Sequence, residues 1–96
     1  MSKQKYLDVI RDSIKRGMLT ESLELVDRLL QHDKKDTYLN LYLGIIYRKQ
    51  FEFSKAKFHF KRAIASGNYL PEAISGLSNV YKLTGDLTNA NKILLS

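Results

Sequence analysis

Apolar residues recur along this chain at spacings of three and four, and glycine, proline or short polar runs break the pattern at intervals. Tyr6, Val9, Ile10 and Ile14 form one such set, and Leu19, Leu23, Val26, Leu29 and Leu30 form the next. Leu39, Leu43, Ile46 and Tyr47 follow, then Ala56, Phe60, Ala63 and Ile64. The last two sets are Ile74, Leu77, Val80 and Tyr81, then Leu87, Ala90, Ile93 and Leu94. That spacing is the period of an amphipathic helix. It predicts six helices, at roughly 3–16, 20–32, 37–50, 54–66, 71–84 and 88–95. Gly17 and Gly85 stand between paired helices, where a left-handed residue ends a helix at least cost, and Gly67 ends the fourth helix. Thr20, Asp36, Ser54 and Thr88 stand where side-chain oxygens can cap orphan amides. Pro71 suits a first helical turn, where its missing N–H is no loss.

The six stretches fall into three units. A shift of about 34 residues, within the range of helical repeats, relates the middle unit to the third. It lays Leu43 on Leu77, Gly44 on Ser78, Tyr47 on Tyr81, Ala56 on Ala90 and Phe60 on Leu94. The same shift toward the N-terminus is weaker. It brings Phe51 (and, applied twice, Gly85) onto Gly17, Ala56 onto Ser22, Phe60 onto Val26 and Ala63 onto Leu29. A single domain over 1–96 therefore divides at about 3–36, 37–70 and 71–96. Small residues such as Gly44, Ser78, Ala56 and Ala90 let helices approach closely, and Tyr47, Tyr81 and Phe60 fill the space beside them.

In these residues the chain resembles the tetratricopeptide repeat (TPR) family. The middle unit carries Leu43-Gly44, Tyr47, Ala56, Phe60 and Ala63. The third carries Leu77, Ser78, Tyr81, Gly85, Ala90 and Leu94. The first keeps Tyr6, Gly17 and Ser22 but lacks the Leu-Gly and the Tyr, as terminal repeats often do. The resemblance implies an all-α fold, a right-handed α-solenoid of three helix–turn–helix repeats with six antiparallel helices. It also implies a non-catalytic protein-interaction module that binds a peptide or helix in a concave groove lined by the first helix of each unit. Carried onto this sequence, the groove consists of Leu7, Arg11, Tyr38, Leu41, Tyr42, Ile45, Arg48, Lys49, Asn79 and Lys82. Tyr42 lies at its centre, and Ser75 and Gly76 form a wall of small groups. A floor of Tyr and Leu suits an inserted helix or bulky side chain. The positions at which some family members clamp acidic chaperone tails are here Leu7, Arg11, Tyr42, Glu72 and Gly76, so that clamp is not expected.

Composition adds charge and removes some chemistry. Sixteen Lys and Arg against ten Asp and Glu give a formal net charge of +6. Cations at helix C-termini, such as Lys15, Arg16, Arg48 and Lys49, are placed where the helix dipole favours them. Lys55, Lys57, Lys61 and Arg62 make the fourth helix basic. Nucleic acid is not the expected partner, because neither an arginine-rich stretch nor an exposed aromatic platform accompanies these charges. With no cysteine, thiolate metal sites and a cysteine nucleophile are excluded. His32 and His59 are isolated, with no ligand spacing around them. Asp33 and Asp36 read as the acidic end of a solvated loop. No catalytic residue, cofactor or metal is expected.

Two other functions fit the same features. One is a small TPR chaperone that sequesters an amphipathic segment of a partner, such as a bacterial secretion-system subunit. The other is an electrostatic binder of an acidic surface or nucleic acid. No run is long enough to span a membrane or to serve as a signal sequence, so a cytoplasmic location is expected. The chain stops at Leu94-Leu95-Ser96 without the polar cap that stacked repeats need. The expectation is that a longer array, a partner or a second copy covers that end.

Overall fold

The computed structural model of the chain describes residues 2–68 and 70–95, with all their side chains except those of Asn91 and residues 93–95. The expectation of an apolar open end at Ile93, Leu94 and Leu95 falls on side chains outside the described ones. Six helices account for most of the chain: α1 (Lys3–Lys15), α2 (Leu19–Leu30), α3 (Thr37–Lys49), α4 (Phe53–Ala65), α5 (Pro71–Leu83) and α6 (Leu87–Leu95). The odd helices begin at Lys3, Thr37 and Pro71 and the even ones at Leu19, Phe53 and Leu87, so one spacing serves both series. The period of the apolar pattern is thus also a period of the backbone.

The short turns repeat with it. After α1 the Gly17 amide donates to the Ile14 carbonyl, and the Met18 amide to the Ser13 carbonyl (both 3.0 Å). After α3 the pair is Phe51 to Arg48 (3.0 Å) and Glu52 to Tyr47 (2.8 Å). After α5 it is Gly85 to Lys82 (3.1 Å) and Asp86 to Tyr81 (2.7 Å). The residue at the bend is left-handed each time, with φ of 79° at Gly17, 62° at Phe51 and 82° at Gly85. Glycine reaches that region freely, whereas a residue with a Cβ is strained there by about 1–2 kcal/mol.

The predicted cap is right at Asp36, whose carboxylate accepts from the Leu39 amide at 2.9 Å. The other three fall too late in the chain. Met18 and Glu52 precede α2 and α4 without a side-chain cap bond. Asp86 rather than Thr88 accepts the first-turn amide, that of Asn89, at 3.2 Å. A left-handed residue leaves room for only one more before the next helix begins, so Thr20, Ser54 and Thr88 already lie inside their helices.

Consecutive helices pack on one another, and α1 also packs on α3, and α3 on α5. Among the described residues α2 makes no close backbone approach to α4, nor α4 to α6. The central helix α3 is consequently covered on most sides and buries Leu39, Leu41, Tyr42, Leu43, Gly44 and Ile46. Phe60 of α4, with no exposed surface, is wedged between α3 and α5. A methyl group added at Gly44 or at Gly76 would sit 2.6 Å from its ring carbons. The expected close approach at Gly44 is present, while Gly76 serves the core rather than a groove wall. In the first unit, Ile10 and Val26 occupy the positions of Gly44 and Phe60, and both are fully buried. Val9, Ile64 and Leu87, expected on core faces, are 46%, 36% and 60% exposed. Val9 and Ile64 each lie at the edge of their helix's apolar arc.

Candidate functional site

The surface where α1, α3 and α5 lie side by side carries the predicted groove residues, and burial divides them into two groups. Leu7, Leu41 and Tyr42 are core residues, with Tyr42 only 2% exposed. The neighbours α1 and α5 flank α3 closely enough to cover these side chains, so Tyr42 offers a ligand no ring face. Ile45 and Arg48 are half-buried, while Arg11, Tyr38, Lys49, Asn79 and Lys82 are exposed. The accessible part of this surface is therefore mainly cationic, with Ile45 and Tyr38 as its apolar components.

Arg11 ties α1 to α3. Its Nε and Nη2 donate to the Tyr42 hydroxyl oxygen at 3.2 and 2.8 Å. Its guanidinium also lies 5.9 Å from the centre of that ring. The Tyr42 bond holds the guanidinium above its ordinary pKa, and the carboxylates of Glu72 on α5 and Asp8 on α1 add to the effect. Among the described residues no hydrogen bond or ion pair joins Asn79 or Lys82 to the other groove positions.

A second polar region lies at the opposite ends of these helices. Asp36, read from the sequence as part of a solvated loop, is buried and pairs with the Lys3 ammonium across the α1–α3 seam. Two cavities of about 320 and 380 Å³ flank this pair. The first is lined largely by apolar side chains, including Tyr6, Leu7, Leu29 and Leu39. The second is polar, with Thr37, Ser66 and Asn68 on its wall. The Thr37 hydroxyl donates to the Ser66 hydroxyl and accepts from Asn68 Nδ2 at 2.9 Å. These bonds already satisfy the polar groups, so the region reads as a junction that fixes the α2–α3 and α4–α5 connections. The sequence signal for it is weak, since Lys3 and Asp36 are far apart in the chain.

The third region is the outer side of α4. His59 Nδ1 lies 2.9 Å from Asn40 Oδ1, while Asn40 Nδ2 donates to the Asp36 and Lys34 carbonyls at 2.8 and 3.1 Å. Burial lowers the His59 pKa to about 4, with the Arg62 charge acting in the same direction. The imidazole is therefore neutral at pH 7, with its Nδ1–H donating to Asn40. Next to it Phe58 is 53% exposed, and Phe51 at the preceding turn is 80% exposed. The expectation that no exposed aromatic accompanies the basic residues does not hold. Helical spacing locates Phe58, but only the packing of α4 determines which side of that helix faces water.

No family model matches the chain, and no curated protein matches it. Among the described residues no helix is long and apolar enough to cross a membrane.

Proposed function

We propose that the chain is a TPR-type solenoid that binds an extended or helical segment of another protein along the surface made by α1, α3 and α5, and that it has no catalytic role. The observation that carries this reading is the constant spacing of helix boundaries from unit to unit, with α1 on α3 and α3 on α5. Odd helices aligned in a row form a continuous binding strip, as in stacked helical repeats. Tyr38 and Ile45 supply apolar contact, and Arg11, Arg48, Lys49 and Lys82 supply positive charge. The segment that fits is acidic with one or two bulky apolar side chains. Burial of Leu41 and Tyr42 leaves less apolar area than a chaperone for an amphipathic helix would use, so the adaptor reading is preferred.

The test is selection of peptides from a random display library on the wild-type protein. Their affinities are then measured on an Arg11→Glu/Arg48→Glu variant with unchanged helicity. Selected peptides should be acidic and should lose roughly tenfold or more in affinity through the two reversed charges. Peptides bound equally well by the variant, or no peptide selected at all, would refute this surface. Tyr42→Phe should act only indirectly, costing about 0.5–1.5 kcal/mol of stability through the missing Arg11 bond.

A further inference from the structure

The outer face of α4 is unusual for a solvated helix side. Ala56, Phe60 and Ala63 are the residues this helix buries. At about 3.6 residues per turn, Phe58 falls opposite them, at the centre of the side carrying Ser54, Lys55, Lys61 and Arg62. An apolar ring is thus flanked along the helix by cations, of which Arg62 lies against it and Lys61 lies 5.8 Å from the Tyr81 ring centre, and α4 contains no acidic residue. The cations are placed against aromatic faces. The Arg62 guanidinium is 5.4 Å from the Phe58 ring centre, and the Lys55 ammonium is 5.4 Å from that of Tyr47. Arg62 is fixed further by its bond to the Lys34 carbonyl at 3.0 Å. Phe58 meets His59 edge-on at 5.0 Å, and His59 stacks on Tyr47 at 5.5 Å.

At the turn that leads into α4 stands Phe51, the one non-glycine residue with positive φ among the described residues. The equivalent turns carry Gly17 and Gly85. A strained backbone is kept here for a side chain that is 80% exposed and touches another ring only edge-on, that of Phe53 at 6.2 Å. Packing does not explain that ring.

We propose that the outer face of α4, with Phe58 at its centre, and the turn before it, with Phe51 exposed, bind a single-stranded polynucleotide, the bases stacking on the two rings and the phosphates pairing with Lys55, Lys61 and Arg62. Isolated rings interleaved with cations match how single strands are held without sequence preference. A helix that lies in a membrane surface instead needs a continuous apolar stripe, and here Phe58 is bordered by Ser54, Lys55, Lys61 and Arg62. An acidic peptide would use the cations but would leave the rings without a role. The net charge of +6 favours a polyanion of any kind, so the rings are what select the partner.

The probe is a fluorescein-labelled thymidine oligonucleotide of about a dozen nucleotides, followed by anisotropy at low salt. Phe58→Ser should weaken binding by roughly fivefold or more, the loss of one stacked base. Phe51→Gly should also weaken it while raising the melting temperature, because the left-handed strain is removed. That variant separates a missing ring from a damaged fold. Lys55→Gln/Lys61→Gln should flatten the plot of log affinity against log salt by about 0.7 for each phosphate no longer paired. Arg11→Gln, on the other side of the molecule, should leave oligonucleotide binding unchanged whatever happens to peptide binding there. Three results would overturn the proposal. They are an unaffected Phe58→Ser variant, equal affinity for the matching duplex, and Phe58-dependent binding to phosphatidylserine vesicles without binding to the oligonucleotide.

Discussion

The first and middle units fill the same space by opposite means. In the middle unit the odd helix supplies no side chain, at Gly44, and the even helix supplies a whole ring, at Phe60. In the first unit the odd helix supplies Ile10 and the even helix the smaller Val26, both fully buried. Bulk has moved from one helix to the other, and the spacing of the helix starts is kept. What the two units share is the number of side-chain carbons brought to an interface rather than the residue at either position. The difference has a consequence for rigidity. Phe60 is gripped from α3 by Gly44 and from α5 by Gly76, so it joins the middle unit to the third as well as closing its own.

Breaking that grip should have the largest effect. Phe60→Ala is expected to cost about 3–5 kcal/mol, against about 1.5–3 kcal/mol for Val26→Ala, which removes fewer buried carbons. For a domain of ordinary stability the first loss is close to the whole margin. Urea unfolding should show the midpoint collapse for Phe60→Ala and a visibly milder change for Val26→Ala. Equal losses would remove the distinction between the units.

A smaller effect tests the fit from the other side. Gly44→Ala inserts a methyl 2.6 Å from a ring that Gly76 prevents from swinging away. Overpacking costs about 1–3 kcal/mol, and better helix propensity returns up to about 1 kcal/mol, leaving a net loss. Phe60→Leu should recover part of that loss in the double variant, because it moves bulk back toward the arrangement of the first unit. A stabilised Gly44→Ala protein would show that the ring has room to move.

The smallest expected effect separates the units by acid sensitivity. The middle unit has His59 where the first has Leu25. With its folded pKa at about 4 and its ordinary value at 6.5, His59 binds a proton more readily in the unfolded chain. The folded state is therefore favoured above pH 6.5 and loses that advantage as pH falls toward 4. Melting temperatures taken between about pH 7 and pH 5 should decline in the wild type and decline less in His59→Gln, which can still donate to Asn40. Parallel declines would assign the acid sensitivity to other groups.

Much of the fold was legible because it depends on neighbours along the chain. Helix spans came from the apolar period, and three of the turns came from Gly17, Gly67 and Gly85, all of which adopt positive φ. Three caps were placed too late because turn length depends on backbone geometry that the cap residues do not reveal. The surface proposed to bind a partner was only partly legible. Its positions follow from the repeat, but Leu41 and Tyr42 belong to the core because α1 and α5 close over α3.

Local spacing and composition were enough to define the six helices, their common period and the charge of +6. Which apolar residues meet water is a different kind of fact, set by what packs against each helix. Phe58 and Phe60 are two positions apart on one helix and chemically identical, yet one is 53% exposed and the other fully buried. The difference arises because α3 and α5 cover one side of α4 and leave the other open, and no property of the residues themselves records it.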